Sequence, residues 1–232
     1  MERVAKMGEQ RKQALIVGAT GLVGRKLLTR LLKEETYEQV HAIVRRPLGI
    51  NHPRLQEYVC DFERLEEITE AYAVDDVFCC LGTTIKKART REAMYRIDVT
   101  YPLTVAKLAK ERGARHFIHI SSAGADAKSK IWYSKMKGEL EQQLKLISYE
   151  ALSILRPSLL LGEREEHRFM EKVSSDVVRG LFKTIRKPVP AQLGIEAGAV
   201  AQAMLSIAAG NQGGTIVYAP KAIEALGRVE PR

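Results

Sequence analysis

A tyrosine and a lysine four positions apart are the side chains of this 232-residue sequence best suited to proton transfer. Tyr133 and Lys137 lie in the run YSKMK, in a stretch of helical period, so they share a face of the predicted helix. A nearby ammonium stabilises a phenolate, which lets a tyrosine act as a general acid or base. Ser122 precedes Tyr133 by eleven residues and ends a predicted strand, where its hydroxyl can bind a substrate carbonyl. We therefore predict that Ser122, Tyr133 and Lys137 are catalytic; the alternative is a chance pattern on a solvated helix.

A glycine-rich run, GATGLVG at residues 18–24, has the chemistry to hold a pyrophosphate. It lies between a predicted strand and a predicted helix, and its spacing is G-x-x-G-x-x-G. The first glycine permits a tight turn, the second lets the backbone approach the phosphates, and the third lets the helix pack closely on the strand. The N–H groups at the helix N-terminus then bind the phosphates. We predict cofactor contacts from Gly18, Thr20, Gly21, Leu22, Val23 and Gly24. The alternative is a plain glycine-rich turn.

Two arginines, Arg45 and Arg46, end the second predicted strand. A site for NAD usually has an acidic residue at this position, which holds the ribose hydroxyls. A guanidinium can instead pair with a ribose 2′-phosphate through two hydrogen bonds. The pair therefore favours NADP(H) as the cofactor; the alternative is two ordinary surface arginines.

Apolar, β-branched runs alternate along the chain with stretches of helical period, the pattern of βαβ units. Parallel alternation with right-handed crossovers predicts an α/β fold, a doubly wound parallel sheet of the NAD(P)-binding Rossmann type. We expect one domain over residues 1–232, with 162–190 as an insertion at the substrate cleft. Predicted strands cover 14–17, 40–44, 59–61, 76–80, 116–121, 151–155 and 215–218, and the main predicted helices cover 22–33, 63–71, 90–112, 131–147 and 199–209.

The net charge of +9 comes from basic residues that are scattered along helical stretches and not interleaved with aromatic residues. This pattern favours a solvated surface and a phosphate-rich cofactor over nucleic-acid binding. The three cysteines, Cys60, Cys79 and Cys80, have no histidine at zinc-ligand spacing, so we interpret them as reduced, buried thiols and predict no metal. No apolar run is long enough for a membrane span or a signal peptide, so we expect a cytoplasmic protein without membrane association.

Together these motifs resemble the short-chain dehydrogenase/reductase superfamily, with the glycine spacing of its extended and atypical branches. Its catalytic serine, tyrosine and lysine correspond to Ser122, Tyr133 and Lys137. The resemblance implies that Tyr133 protonates a carbonyl oxygen as hydride arrives from the nicotinamide, while Ser122 holds that oxygen. It also implies that Lys137 binds the nicotinamide ribose, so that both Tyr133 and Lys137 belong to the cofactor site.

A closer resemblance, over residues 14–227, is to the Tat-interacting-protein oxidoreductase family. The motifs that carry it are DF at 61–62, CCLGTT at 79–84, SSAGAD at 121–126, KGE at 137–139 and RP at 156–157. The resemblance implies that Asp61 and Phe62 border the adenine and that Leu81, Gly82 and Thr83 pass along the cofactor. It places Arg164 and Arg168 near the cleft, where we assign them to the substrate.

These predictions indicate an NADP(H)-dependent oxidoreductase that acts on a small-molecule carbonyl or alcohol. The alternative is an NADP(H)-binding regulatory or scaffold protein with little turnover, since the eukaryotic member of the family is described mainly as a regulatory protein. A fold or a family is a weaker basis for function than the site itself. The identity of the substrate, a protein partner and the oligomeric state are left open by the sequence.

Overall fold

A seven-stranded parallel sheet forms the centre of the computed structural model, which describes residues 11–161, 194–210 and 212–228. The strand order is β3-β2-β1-β4-β5-β6-β9, and every neighbouring pair is parallel. The strands are β1 (Lys12–Val17), β2 (Tyr37–Val44), β3 (Leu55–Val59), β4 (Asp76–Cys79), β5 (His116–Ile120), β6 (Ala151–Leu155) and β9 (Gly214–Tyr218). Two short strands, β7 (Leu159–Leu161) and β8 (Gly194–Glu196), pair separately. The predicted fold class is confirmed.

Seven α-helices are present in the described ranges: α1 (Leu22–Leu31), α2 (Ile85–Ala88), α3 (Arg91–Tyr95), α4 (Tyr101–Glu111), α5 (Trp132–Leu146), α6 (Ala197–Ala209) and α7 (Pro220–Gly227). A π-helix, Arg96–Thr100, joins α3 to α4, so the long helix predicted at 90–112 is present but interrupted. The helix predicted at 63–71 is wrong in type. Two 3-10 helices occupy this stretch, because Arg64 leaves the helical region of backbone angles and Ile68 separates the two turns.

The helices cover both faces of the sheet, and each face has its own apolar core. On one face, Leu27 of α1 and Met204 of α6 pack over Ile16 and Ile118. On the other face, helices α4 and α5 pack over the alternate strand residues, among them Phe117. Strands buried on both sides read as near-continuous apolar runs, which is why the sequence revealed them without polar alternation. Burial of each large apolar side chain contributes about 1.5–3 kcal/mol.

The insertion predicted at 162–190, together with Arg164 and Arg168, lies outside the described residues. None of the helices in the described ranges combines the length and the hydropathy needed to cross a membrane.

Candidate active site

The strand order places the predicted site at one edge of the sheet. From β1 the chain moves outward to β2 and β3, then returns to β4 on the other side of β1. The carboxyl ends of β1 and β4 therefore border a crevice, the usual ligand site of open α/β sheets. The glycine-rich run follows β1, residues 80–84 follow β4, and Ser121 and Ser122 follow β5. Segments that are far apart in the sequence thus meet at this edge.

The glycine-rich loop can be built only with glycine at two of its positions. Gly18 has a φ of +83°, and a Cβ there would lie 2.6 Å from the Cys80 carbonyl oxygen. A Cβ on Gly24 would lie 2.1 Å from the Gly18 carbonyl oxygen, so α1 starts in direct contact with the turn. Gly21 precedes α1 and offers no side-chain cap, which leaves the first N–H groups of the helix to an external anion. This bare, close-fitting cradle fits the pyrophosphate of a dinucleotide.

The other residues predicted in this loop divide into exposed and buried positions. Thr20 and Leu22 are exposed beside Gly21, whereas the Val23 side chain is 4% exposed and belongs to the core. Any contact between Val23 and the cofactor is therefore limited to the backbone.

The residues predicted to surround the adenine end lie after β2 and β3. Arg45 and Arg46 are exposed, and within the described ranges neither has a carboxylate partner. Asp61 is exposed and caps a 3-10 helix by accepting a hydrogen bond from the Glu63 N–H at 3.1 Å. Phe62 is a core residue, and its ring meets Tyr101 edge to face at 5.5 Å. The two arginine side chains are thus available to bind a phosphate, while the Phe62 ring packs in the core against Tyr101.

The most constrained part of the site is a buried ion pair between Lys137 and Asp98. The Lys137 Nζ lies 2.7 Å from Asp98 Oδ1, and the two side chains are only 3% and 1% exposed. Asp98 Oδ2 accepts a hydrogen bond from the Thr83 N–H at 2.8 Å. Gly82 lies against the pair, since a Cβ there would be 3.6 Å from Asp98 Oδ1. The carboxylate therefore joins the lysine of α5 to the loop after β4.

Asp98 is not among the site residues predicted from the sequence, although the sequence carries a signal for it. Asp98 follows the buried Met94 by four residues and precedes the buried Val105 by seven, so helical period places it on the apolar face. A carboxylate at such a position needs a buried partner. The residue also lies in the π-helix Arg96–Thr100. Pro102 has no N–H to donate to the Asp98 carbonyl four residues earlier, which accounts for the widened turn.

Tyr133 and Lys137 share a face of α5, as their spacing predicts. The Lys137 Nζ is 6.0 Å from the centroid of the Tyr133 ring, and Tyr133 is 37% exposed at the start of the helix. Glu141 follows Lys137 by four residues and is 2% exposed. These three residues form one stripe that passes from the surface into the interior. The tyrosine is open to a substrate while the lysine beneath it is held by Asp98.

The two serines after β5 have different surroundings. The Ser121 hydroxyl donates to Glu141 Oε1 at 2.5 Å, and Arg156 donates to both oxygens of Glu141 at 3.0 and 2.6 Å. These hydrogen bonds to Glu141 raise the pKa of Arg156. The hydroxyl of the half-buried Ser122 has no hydrogen-bond partner among the residues that the structure describes. Ser121 thus fixes the loop, and Ser122 is the hydroxyl available to a ligand.

His119 lies beneath the site in β5 and is fully buried. Neither ring nitrogen has a hydrogen-bond partner in the described part of the chain. Burial, with the Lys137 ammonium nearby, lowers the pKa of His119 to about 3. The ring is stacked on Phe117, with centroids 6.5 Å apart. His119 is therefore a packed residue of the sheet interior.

The cysteines are free thiols, and Cys79 is buried in β4. Burial raises the pKa of Cys79 to about 12 and raises that of Cys80 well above its ordinary value. Such thiols are poor nucleophiles. Among the described residues, no group of three or more His, Cys, Asp or Glu side chains is arranged to hold a metal ion.

The sequence matches the NAD dependent epimerase/dehydratase family over residues 14–189, and the chain belongs to that family. Curated relatives agree with the resemblance found from the motifs. The protein HTATIP2 of Rattus norvegicus is 39% identical over 163 residues, which are 68% of this chain and 67% of the relative. The mitochondrial protein FMP52 of Eremothecium gossypii is 38% identical over 154 residues, 66% of this chain and 69% of the relative. The predicted membership of this family is therefore confirmed.

Solved structures show the same fold. MoeE5 in complex with UDP-glucose and NAD superposes with a TM-score of 0.65 and 18% identity, over 88% of this chain and 74% of that chain. At this level of identity the likeness concerns the architecture alone.

One expectation is corrected by the relatives. The chain was expected to be cytoplasmic, but this expectation is contradicted by its fungal relatives, which are named as mitochondrial proteins. The expectation rested on the lack of an apolar signal segment. Mitochondrial targeting segments are amphipathic and basic, so a test based on apolar runs does not detect them.

The Lys137–Asp98 pair should show strong energetic coupling. Asp98→Asn leaves a buried ammonium without its counter-ion, and Lys137→Met leaves a buried carboxylate, so each variant should lose about 3–5 kcal/mol of unfolding free energy. The double variant removes both charges and should lose much less than the sum. Urea denaturation of the four proteins measures this coupling. Additive losses would show that the two charges do not interact.

The buried His119 should make stability fall in acid. Its pKa is about 3 in the folded chain against an ordinary 6.5, so the unfolded state binds the proton first. The contribution is complete above pH 6.5 and is lost as the pH falls toward 3, with a slope of up to about 1.4 kcal/mol per pH unit. His119→Leu should reduce this slope in denaturation series between these pH values. Phe117→Leu, on the same strand and without a titratable group, should leave the slope unchanged.

Proposed function

We propose that this protein is an NADP(H)-dependent oxidoreductase that interconverts a carbonyl compound and an alcohol. The observation that supports the proposal is that Tyr133 and Lys137 share a face of α5, with the Lys137 Nζ 6.0 Å from the Tyr133 ring, while Ser122 and the glycine-rich loop follow strands that end at the same carboxyl edge of the sheet. Membership of a family described as NAD dependent supports a nicotinamide cofactor. MoeE5, with the same architecture, is described as a complex with NAD.

The chain's own residues account for cofactor binding as follows. The backbone of Gly18, Gly21 and the first turn of α1 receives the pyrophosphate, because Gly21 provides no side-chain cap and the first N–H groups of the helix are open to an anion. Leu81, Gly82 and Thr83 border the nicotinamide half, with Thr83 held by Asp98. The Lys137 ammonium, fixed at 2.7 Å from Asp98, is the donor for the nicotinamide ribose.

In carbonyl reduction, the bound nicotinamide supplies the hydride. Tyr133 donates the proton to the carbonyl oxygen, because Tyr133 is exposed at the start of α5 and is therefore accessible to a substrate. Ser122 orients that oxygen through its unengaged hydroxyl. Asp98 is a positioning residue, which holds the Lys137 ammonium in place without touching the substrate.

The choice between the two forms of the cofactor falls to Arg45 and Arg46. Both are exposed after β2, where the adenosine ribose of a Rossmann cofactor lies. Because both positions are arginine, a ribose 2′-phosphate can pair with two guanidinium groups, and no carboxylate at these positions repels it.

NADPH should bind at least about tenfold more tightly than NADH, a difference of about 1.4 kcal/mol. Arg45→Gln combined with Arg46→Gln should bring NADPH affinity down to that of NADH, while NADH affinity stays nearly constant because it lacks the 2′-phosphate. Calorimetry with both nucleotides measures this. Equal affinities in the unaltered protein would refute the assignment to NADP(H).

Tyr133→Phe should lower the rate of NADPH oxidation with a panel of aldehydes and ketones by about 10²–10⁴-fold, because the proton donor is lost. NADPH affinity should be nearly unchanged, since the aromatic ring remains. Tyr58→Phe, which removes a phenol hydroxyl from β3, is the matched control and should retain full activity. Tight NADPH binding without turnover of any carbonyl would favour the regulatory alternative over the enzyme.

A further inference from the structure

Two loops beside Tyr133 carry a concentration of positive charge that the proposed reaction does not use. The segment after β4 contributes Lys86, Lys87, Arg89 and Arg91, and the loop after β5 contributes Lys128 and Lys130. All six residues are exposed, and we call them the basic rim. Residues 84–91 contain no acidic residue, and residues 122–132 contain only Asp126. The net charge of +9 is therefore concentrated in part at this edge of the sheet.

The two halves of the rim are joined next to the predicted proton donor. The Arg91 guanidinium lies over the Trp132 ring, 5.3 Å from its centroid, and Trp132 directly precedes Tyr133. The Thr84 hydroxyl oxygen caps α2 by accepting a hydrogen bond from the Lys87 N–H, and the Thr90 hydroxyl oxygen caps α3 by accepting one from the Ala93 N–H. The caps stabilise α2 and α3, and the Arg91–Trp132 contact joins the basic segment to α5.

Arg89 occupies a position that is conformationally suited to glycine. It ends α2 with a φ of +71°, and its N–H donates to the Ile85 carbonyl. A non-glycine residue with positive φ costs about 1–2 kcal/mol. The Arg89 side chain is exposed at this position.

The positive charges of the rim are not neutralised within the described part of the chain. None of the six side chains has a carboxylate within ion-pair distance there. Asp126 accepts a hydrogen bond from the Lys128 backbone N–H at 2.9 Å and so serves the loop backbone. Lys137 adds little to this field, because Asp98 neutralises it at 2.7 Å. In the described part of the chain, the rim therefore supplies cations that no carboxylate neutralises.

We propose that the basic rim binds an anionic group of the substrate, a carboxylate or a phosphate, while the substrate carbonyl lies at Tyr133. This proposal names a substrate class for the site and rests on the proposed function. Several exposed cations around a cleft raise the local concentration of an anion and its rate of association. Because the rim is exposed, its attraction is screened by salt, with a Debye length of about 10 Å at 0.1 M and 3 Å at 1 M.

The test compares two aldehydes of equal shape, para-formylbenzoate and para-formylbenzamide, which differ in charge. Calorimetry with the protein and NADP⁺ measures their binding without turnover. At low salt the carboxylate should bind at least about fivefold more tightly, and the ratio should fall toward one near 1 M salt. Lys86→Gln combined with Lys87→Gln should lower the ratio as well.

The matched control is Lys33→Gln combined with Lys145→Gln, which removes the same charge. Both lysines are exposed and lie near the carboxyl ends of α1 and α5, at the sheet edge opposite the site. This variant should keep the preference for the carboxylate. Equal binding of the two aldehydes, no binding of either, or an equal effect of both double variants would overturn the proposal. A preference in binding, together with no oxidation of NADPH by any aldehyde or ketone of the panel, would support the rim and overturn the reductase function.

Discussion

The buried ion pair of Lys137 and Asp98 is the interaction on which the arrangement of this site depends. Each charge loses several kcal/mol of hydration when it is buried, and this is offset only if the partner is close and the remaining lone pairs are satisfied. Here the separation is 2.7 Å, and the second carboxylate oxygen accepts the Thr83 N–H. Since Asp98 contacts both Lys137 and the Thr83 N–H, the pair joins α5, the π-helix and the loop after β4 to one another.

A second buried carboxylate extends the same principle along α5. Glu141 takes hydrogen bonds from Ser121 and from Arg156, so it ties the helix to the ends of β5 and β6. Lys137 and Glu141 are four residues apart, so one stripe of the helix is anchored twice. Tyr133, on the same stripe, lies where the helix emerges. A rigid support below an exposed reactive group is what general acid catalysis needs, because proton transfer depends on position before it depends on acidity.

The positive charge of the chain is distributed in a way that suits two anions. Arg45 and Arg46 lie after β2, near the predicted adenine end, and the basic rim lies beside Tyr133. The lysine between these regions, Lys137, is neutralised by Asp98. Its role is therefore local hydrogen bonding and not long-range attraction. Burial also removes Cys79 and His119 from reactivity, since their pKa values move away from neutrality in opposite directions.

The sequence by itself determined the features that depend on local geometry. The glycine spacing identified the loop because close contact at Gly18 and Gly24 excludes any side chain, and helical period placed Tyr133 and Lys137 on one face. The succession of continuous apolar runs and stretches of helical period predicted the parallel sheet, and the motifs indicated the family. Only the tertiary structure decided that Asp98 holds Lys137, that Ser121 is committed to Glu141, and that Arg91 meets Trp132. These partners are distant in the chain, and their pairing follows from how helices pack on a common sheet, which no local periodicity encodes.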